Sequence, residues 1–169
     1  MIHVTPLSHL AQTLERTQAR QIVSLLSVGT VFERPAHLDA ENCLHLEMHD
    51  IVEERDGLIA PSRAHVEQLI DFARRWDRNA PLVVHCYAGI SRSTAAAYVI
   101  AAALDQERDA VALAAELRRL SPSATPNIRI VALADEILGR GGRMTEAVRG
   151  IGRGADAFEG TPFVLALGR

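Results

Sequence analysis

A cysteine, followed six positions later by an arginine and then a serine, carries the chemistry of this chain: Leu82-Val83-Val84-His85-Cys86-Tyr87-Ala88-Gly89-Ile90-Ser91-Arg92-Ser93. An apolar run opened by Pro81 ends in Cys86, a loop of small residues follows, and the alanine-rich run from Thr94 to Leu104 predicts a buried helix. A loop that closes from a strand end onto a helix N-terminus turns consecutive backbone N–H groups into one concavity, where the helix dipole adds positive potential. Such a nest binds a phosphate. Ala88 and Gly89 keep bulk off its wall, and Arg92 offers a planar, two-pronged donor to two phosphate oxygens. Field and donors of this kind favour a thiolate, so Cys86 on the floor of the bowl is expected to be a nucleophile at neutral pH.

His85-Cys86, five residues, then Arg92-Ser93 resembles the His-Cys-x5-Arg-Ser/Thr signature of the protein tyrosine phosphatase and dual-specificity phosphatase superfamily. The resemblance implies a cysteine-dependent phosphoric monoester hydrolase of compact type. Cys86 would attack phosphorus to give a phosphocysteine, while Arg92 and the N–H groups of Tyr87, Ala88, Gly89, Ile90 and Ser91 hold the equatorial oxygens. His85 would hydrogen-bond the loop and help keep Cys86 ionised. The superfamily also takes its general acid from an aspartate on an upstream loop, and two qualify. Asp50 directly follows a strand expected beside the cysteine strand; Asp56 lies deeper in the loop, where Asp56-Gly57 can equally be an ordinary turn. The same carboxylate would then serve as base on the water that hydrolyses the intermediate. Ser93 can donate to the departing thiolate, or can simply start the helix. Pro126-Asn127 resembles a proline-asparagine step that follows the loop in many dual-specificity enzymes. The likeness spans Asp50 through Asn127 and excludes the low-molecular-weight tyrosine phosphatases, whose signature opens the chain. No cofactor or metal is implied, and the histidines lack ligand spacing.

The loop interior, Tyr87 to Ser91, has no basic residue, whereas relatives that prefer phosphoinositides often place lysines there. Ala88-Gly89-Ile90 is similar to tyrosine phosphatases, and Ser91-Arg92-Ser93 to the dual-specificity group. The chain is too short for the N-terminal phosphotyrosine-recognition segments of the large tyrosine-specific enzymes. The expected substrate is therefore a phosphorylated protein, carrying phosphotyrosine or read with dual specificity. A small phosphomonoester metabolite, or a phosphate-binding module without turnover, are the alternatives.

Several elements must position these residues. Ser8 to Ala19 predicts a short amphipathic helix, Ile22 to Leu26 a buried strand, and Thr30 to Glu41 a loop. Leu44, Leu46 and Met48 alternate with His45, Glu47 and His49, which predicts a second strand over Cys43 to His49. Pro61-Ser62 opens a helix with Val66, Leu69, Ile70, Ala73 and Trp76 on one face. Further helices are expected over Asp109 to Leu120, with Val111, Ala114, Leu117 and Leu120 inward, over Ile128 to Leu138 behind the N-cap Asn127, and from Met144. Phe163 to Leu167 should dock as a terminal strand or tail. This alternation predicts an α/β fold, a mostly parallel sheet with helices on both faces and the ligand at the strand C-terminal ends.

With 169 residues, 48% of them hydrophobic, residues 1–169 suit one domain. No apolar run reaches the roughly 18 residues of a membrane span, and no basic-then-apolar leader opens the chain. Two cysteines make no disulfide framework, and a nucleophilic thiol suits a reducing compartment, so a cytoplasmic location is expected. All 18 basic residues are arginine, and the net charge of −3 offers no global attraction for nucleic acid or anionic membrane. Cys43 is either a core cysteine or, if its strand neighbours Cys86, a disulfide partner for an oxidised Cys86.

Overall fold

Four parallel strands and one antiparallel strand build the sheet: β1 (Ile2–Pro6), β2 (Gln21–Leu26), β3 (Cys43–Glu47), β4 (Leu82–Cys86) and β5 (Phe163–Leu165). Their spatial order is β3-β2-β4-β1-β5, with β5 running antiparallel against β1. The structure, a computed structural model, describes residues 1–168. Six α-helices complete it: α1 (Leu10–Thr17), α2 (Arg63–Arg75), α3 (Arg92–Leu104), α4 (Ala110–Leu120), α5 (Ile128–Ile137) and α6 (Arg143–Ile151).

Successive side chains on a strand point to opposite faces, so β4 divides its residues between two cores. Leu82, Val84 and Cys86 join Val23, Leu25, Leu46 and the apolar faces of α2 to α6. Val83 joins Ile22, Leu10 and Leu14 beneath α1. All five residues of β4 are buried, which is why it reads as a continuous apolar run. α3 is buried at every position from Arg92 to Ala103, and its alanines let it lie in the middle of the larger core. The α/β sheet with helices on both faces is as the sequence predicts.

Two expectations are corrected, and one strand is added to those expected. Ile2-His3-Val4-Thr5 alternates apolar with polar, but the run is too short to stand out by itself. Residues 2–6 nevertheless form β1 between β4 and β5, with Ile2 and Val4 buried. β3 does not lie beside β4; β2 intervenes, and β3 is an edge strand. Cys43 begins β3 opposite Ile22, whereas Cys86 ends β4 opposite Leu25. Three residues along the strands and two strand spacings across put the two Cα atoms well over about 10 Å apart, against a disulfide limit of about 7 Å. Cys43 is thus no partner for Cys86. On α4, Val111 is 63% exposed, and Leu113, Ala114 and Leu117 face the core instead.

Helix starts are capped where the sequence places polar residues. Ser62 accepts from His65 N–H and the His65 ring accepts from Ser62 N–H, closing a box at the start of α2. Asn127 Oδ1 accepts from Arg129 and Ile130 N–H at α5. α6 has no side chain of its own to cap it. Buried Asp135 of α5 does so across the turn, accepting from Gly142 N–H at 2.6 Å and Thr145 N–H at 2.9 Å. Asp135→Ala leaves both donors without a partner and is expected to lower the unfolding free energy by about 1–3 kcal/mol, read by urea titration. An unchanged midpoint would show that water replaces the carboxylate.

Candidate active site

Cys86 ends β4, and the chain turns through residues 87–91 before α3 begins at Arg92. Gly89 allows this turn: its φ is +68°, and a Cβ there would stand 2.8 Å from the backbone nitrogen of Pro6 in β1. Four of the loop's five carbonyls are each engaged by a donor outside the bowl. Tyr87 O accepts from Leu7 N–H (3.1 Å), Ala88 O from Gly160 N–H (2.8 Å), Ile90 O from Thr125 N–H (3.0 Å) and Ser91 O from Asn127 N–H (3.3 Å). In a trans peptide plane the N–H of the next residue points the opposite way, so the N–H groups of Ala88, Gly89, Ser91 and Arg92 turn inward. Gly89 N–H already donates to Cys86 Sγ at 3.2 Å, and Ser93 Oγ stands 3.1 Å from the same sulfur. Cys86 is 2% exposed at the floor.

Arg92 is buried, with Nη1 donating to Met48 O (2.8 Å) and Ser27 Oγ (3.2 Å). These fix the guanidinium to the ends of β2 and β3. Its Nε is buried without a hydrogen-bond partner, a donor that an oxyanion in the bowl would satisfy. Tyr87 is 60% exposed on the rim, and Ala88 and Ile90 are half-buried in the wall.

Asp50 reaches the bowl although its strand is at the sheet edge. Met48 N–H continues the ladder to Leu26 O (2.8 Å), and His49 N–H donates to Ile59 O (2.7 Å), closing the loop between them. Asp50 Oδ1 accepts from Ser91 Oγ (2.7 Å) and Asn127 Nδ2 (2.8 Å), and Oδ2 faces Arg92 Nε at 4.0 Å. Asp56 does not come near. It lies in an exposed turn, with Leu58 N–H donating to Arg55 O (3.1 Å) and Gly57 at φ +76°. Asn127 and Ser27 are the residues of this site whose contacts the sequence does not signal; the N-cap role of Asn127 is legible, its grip on Asp50 is not.

His85 departs from what the resemblance implies. Alternation puts it on the sheet face opposite Cys86, fully buried, with its ring tilted against Phe32 at a centroid distance of 5.7 Å. Neither ring nitrogen makes a hydrogen bond of good geometry, and the polar group the ring meets is the backbone of Cys86 rather than the loop beyond it. Burial pushes its imidazole down from 6.5 to about 4, against a backbone contact at Cys86 that pulls it up. The folded protein therefore resists protonating a group that the unfolded chain protonates from pH 6.5 downward. Stability tied to His85 is complete above 6.5 and is lost as pH falls towards about 4, by roughly 3 kcal/mol in all. His85→Leu should flatten that part of the acid limb in urea unfolding across pH, leaving the same-signed contributions of His3 and His65. An identical limb in the variant would show that the imidazole is hydrated.

The profile of the family described as "Tc-R-P: Polymorphic toxin system, DSP-PTPase phosphatase" matches residues 3–107. No curated protein matches the sequence. DUSP15 has a similar structure, with a TM-score of 0.64 at 17% identity over 89% of each chain. Human DUSP28 reaches 0.60 at 15% identity over 89% of this chain and 94% of its own. The PTP-2 phosphatase of Cydia pomonella reaches 0.60 at 17% identity over 80% and 84%. At these identities the structural likeness is one of fold, and the fold is that of dual-specificity and tyrosine phosphatases. The profile match, which takes in β1 to β4, the cysteine loop and α3, covers more than half of the sequence, and the chain belongs to this DSP-PTPase family of cysteine-dependent phosphatases.

Proposed function

We propose that the protein hydrolyses phosphotyrosine, with dual specificity within its reach, through a phosphocysteine intermediate. The observation that carries this reading is the convergence on one bowl of Cys86 Sγ, inward-turned N–H groups, the unpartnered Arg92 Nε and the Asp50 carboxyl. Cys86 thiolate attacks phosphorus in line and the P–O bond to the leaving group breaks. Arg92 and the loop N–H groups hold the equatorial oxygens throughout. Asp50 delivers a proton to the leaving oxygen. Its Oδ1 is engaged by Ser91 and Asn127, so Oδ2, on the Arg92 side, is the oxygen placed to carry that proton. Asp50 then takes a proton from water, the water oxygen bonds to phosphorus, the P–S bond breaks, and inorganic phosphate leaves. Ser93 Oγ donates to the sulfur as it regains its charge.

The rim supports an aryl phosphate on a protein. Of the chain's seven aromatic side chains, five are buried or half-buried, and the exposed pair is Tyr87 (60%) and Phe158 (92%). Tyr87 belongs to the loop, and Phe158 is two residues from Gly160, which bonds the loop at Ala88. Glu53, Glu54, Asp56 and Glu159 supply exposed or half-exposed carboxylates on the flanking segments, which disfavour polyanionic ligands. A binding module without turnover would not need the nucleophile, arginine, hydroxyl and carboxyl to meet as they do.

Assay of the purified protein with aryl phosphates tests the chemistry. Cys86→Ser is expected to abolish turnover yet still bind vanadate, and a tenth of the activity remaining would refute a covalent route (roughly, for so much weaker a nucleophile). Asp50→Asn should slow phenyl phosphate by about 10²–10⁴-fold and nitrophenyl phosphate less, since the better leaving group needs less protonation. Asp56→Asn should leave both rates alone; the reverse pattern would move the acid to Asp56. Phe158→Ala should raise KM for a phosphotyrosyl peptide about 2–10-fold with kcat kept, the scale of one lost aromatic contact. An unchanged KM would take Phe158 off the substrate.

A further inference from the structure

Residues 152–162, between α6 and β5, form no regular element, yet they are stitched along their length to the catalytic end of the sheet. Gly154 N–H donates to Thr125 Oγ1 (3.0 Å), and Ala155 N–H to Pro122 O (2.9 Å). Glu159 accepts from Ser8 Oγ (2.7 Å) and lies 3.7 Å from His9 Nδ1. Gly160 N–H donates to Ala88 O (2.8 Å). The contact is close: a Cβ on Gly160 would stand 2.7 Å from Gly89 O, and one on Gly154 2.5 Å from the Ser123 carbonyl carbon. This segment lies outside the family match, which ends at residue 107.

We infer that Gly160 is a positioning residue of the active site: through the Ala88 carbonyl it aims the Gly89 N–H at Cys86 Sγ and into the oxyanion bowl. The two groups share one peptide plane. With Ala88 O held outward by Gly160, the Gly89 N–H is held inward, where it meets Sγ at 3.2 Å. Glycine on one side of that plane and alanine on the other leave little bulk to resist rotation, since Gly89 has no side chain and Ala88 only a methyl. Pro6 lies close beneath Gly89 and the Gly160 N–H holds the Ala88 carbonyl, so the plane is clamped from β1 on one side and from the tail on the other. The clamp acts on the sulfur as well as on a bound oxyanion. A flipped plane would remove one donor from Cys86 and turn a carbonyl dipole towards it.

Gly160's part in turnover rests on the phosphatase reading, whereas its part in oxyanion and thiolate stabilisation is measured without turnover. In the full-length protein, Gly160→Ala forces the tail off Gly89 O, and Gly150→Ala, in α6 with open space around it, serves as the control. Two readouts are vanadate affinity and the rate of Cys86 alkylation by iodoacetamide in mildly acidic relative to mildly alkaline buffer. Gly160→Ala should weaken vanadate binding roughly tenfold, the worth of one charge-assisted donor, and slow the acidic alkylation, with a melting temperature near that of the wild type. Gly150→Ala should change neither. Wild-type affinity and alkylation in a folded Gly160→Ala would overturn the inference. Should that variant fail to fold, Ser8→Ala combined with His9→Ala decides: together they remove both holds on Glu159 without touching the loop, and must weaken vanadate binding severalfold, wild-type affinity again overturning it. Vanadate bound by a wild type that hydrolyses no aryl phosphate would refute the phosphatase reading alone.

Discussion

Peptide N–H groups that converge on one point repel each other, and a loop left to itself would rotate its planes to relieve this. What prevents it here is the capture of the opposite ends of those planes. The carbonyls of Tyr87, Ala88, Ile90 and Ser91 are each bonded from outside by Leu7, Gly160, Thr125 and Asn127. These donors come from the start, the middle and the end of the chain. None is in the loop, so the anion site is a property of the whole fold. A buried carbonyl without a partner costs about 1–3 kcal/mol, which is the scale on which the bonds to Tyr87 O and Ala88 O resist a flip; Ile90 O and Ser91 O are held in addition by Thr94 Oγ1 and the first turn of α3.

The sheet order follows the same requirement. β4 is central, with β1 on one side bringing Pro6 and Leu7 under and beside the loop, and β2 on the other bringing Ser27 to Arg92. Cys86 closes β4, and Arg92 opens α3 within the larger core, so nucleophile and cation are both set by buried elements rather than by the loop alone. Arg92 costs most to bury. Its Nη1 is satisfied by Met48 O and Ser27 Oγ, and its Nε is buried without a hydrogen-bond partner.

Local features of the site were legible because their determinants lie within a few residues of each other. Strand, small-residue loop, arginine and helix fall inside Leu82 to Leu104, and the N-caps Ser62 and Asn127 sit one residue before their helices. Features made by distant pairings were not. β1 is only five residues long, too short an alternation to stand out by itself, and it is held in the sheet by β4 and β5 on either side. The side chain of His85 was misplaced because a motif names a residue without saying which face of the strand it takes. Val111 was placed inward by spacing alone, but α4 turns Leu113 to the core, and nothing within the helix distinguishes the two apolar stripes. The tail's glycines carry no signal of a partner in the sequence; two of them, Gly154 and Gly160, are where backbone meets backbone too closely for a side chain.

Asp50 reaches the cysteine loop by a route that its place in the sequence does not suggest. It was favoured because its strand should adjoin β4, and that strand is instead two places away. The carboxyl arrives by another route. Ladder contacts beyond β3 carry the chain across the end of β2, and Ser91 and Asn127 then bind one oxygen of Asp50. Ser91 is in the cysteine loop, and Asn127 N–H holds the carbonyl of that same Ser91. The acid is therefore registered against the phosphate loop itself, independently of where β3 lies in the sheet. A shift of the loop would carry the acid with it, and the distance between carboxyl and bowl would be preserved. Arg129 extends the tie outward, bonding Pro61 O at 2.7 Å and Glu54 at 2.9 Å, so both ends of the acid loop are fastened to α5. The same asparagine that caps α5 thus couples the helix, the Asp50 carboxyl and the loop, and a carboxyl arriving from the edge of the sheet is fixed against the cysteine at its centre.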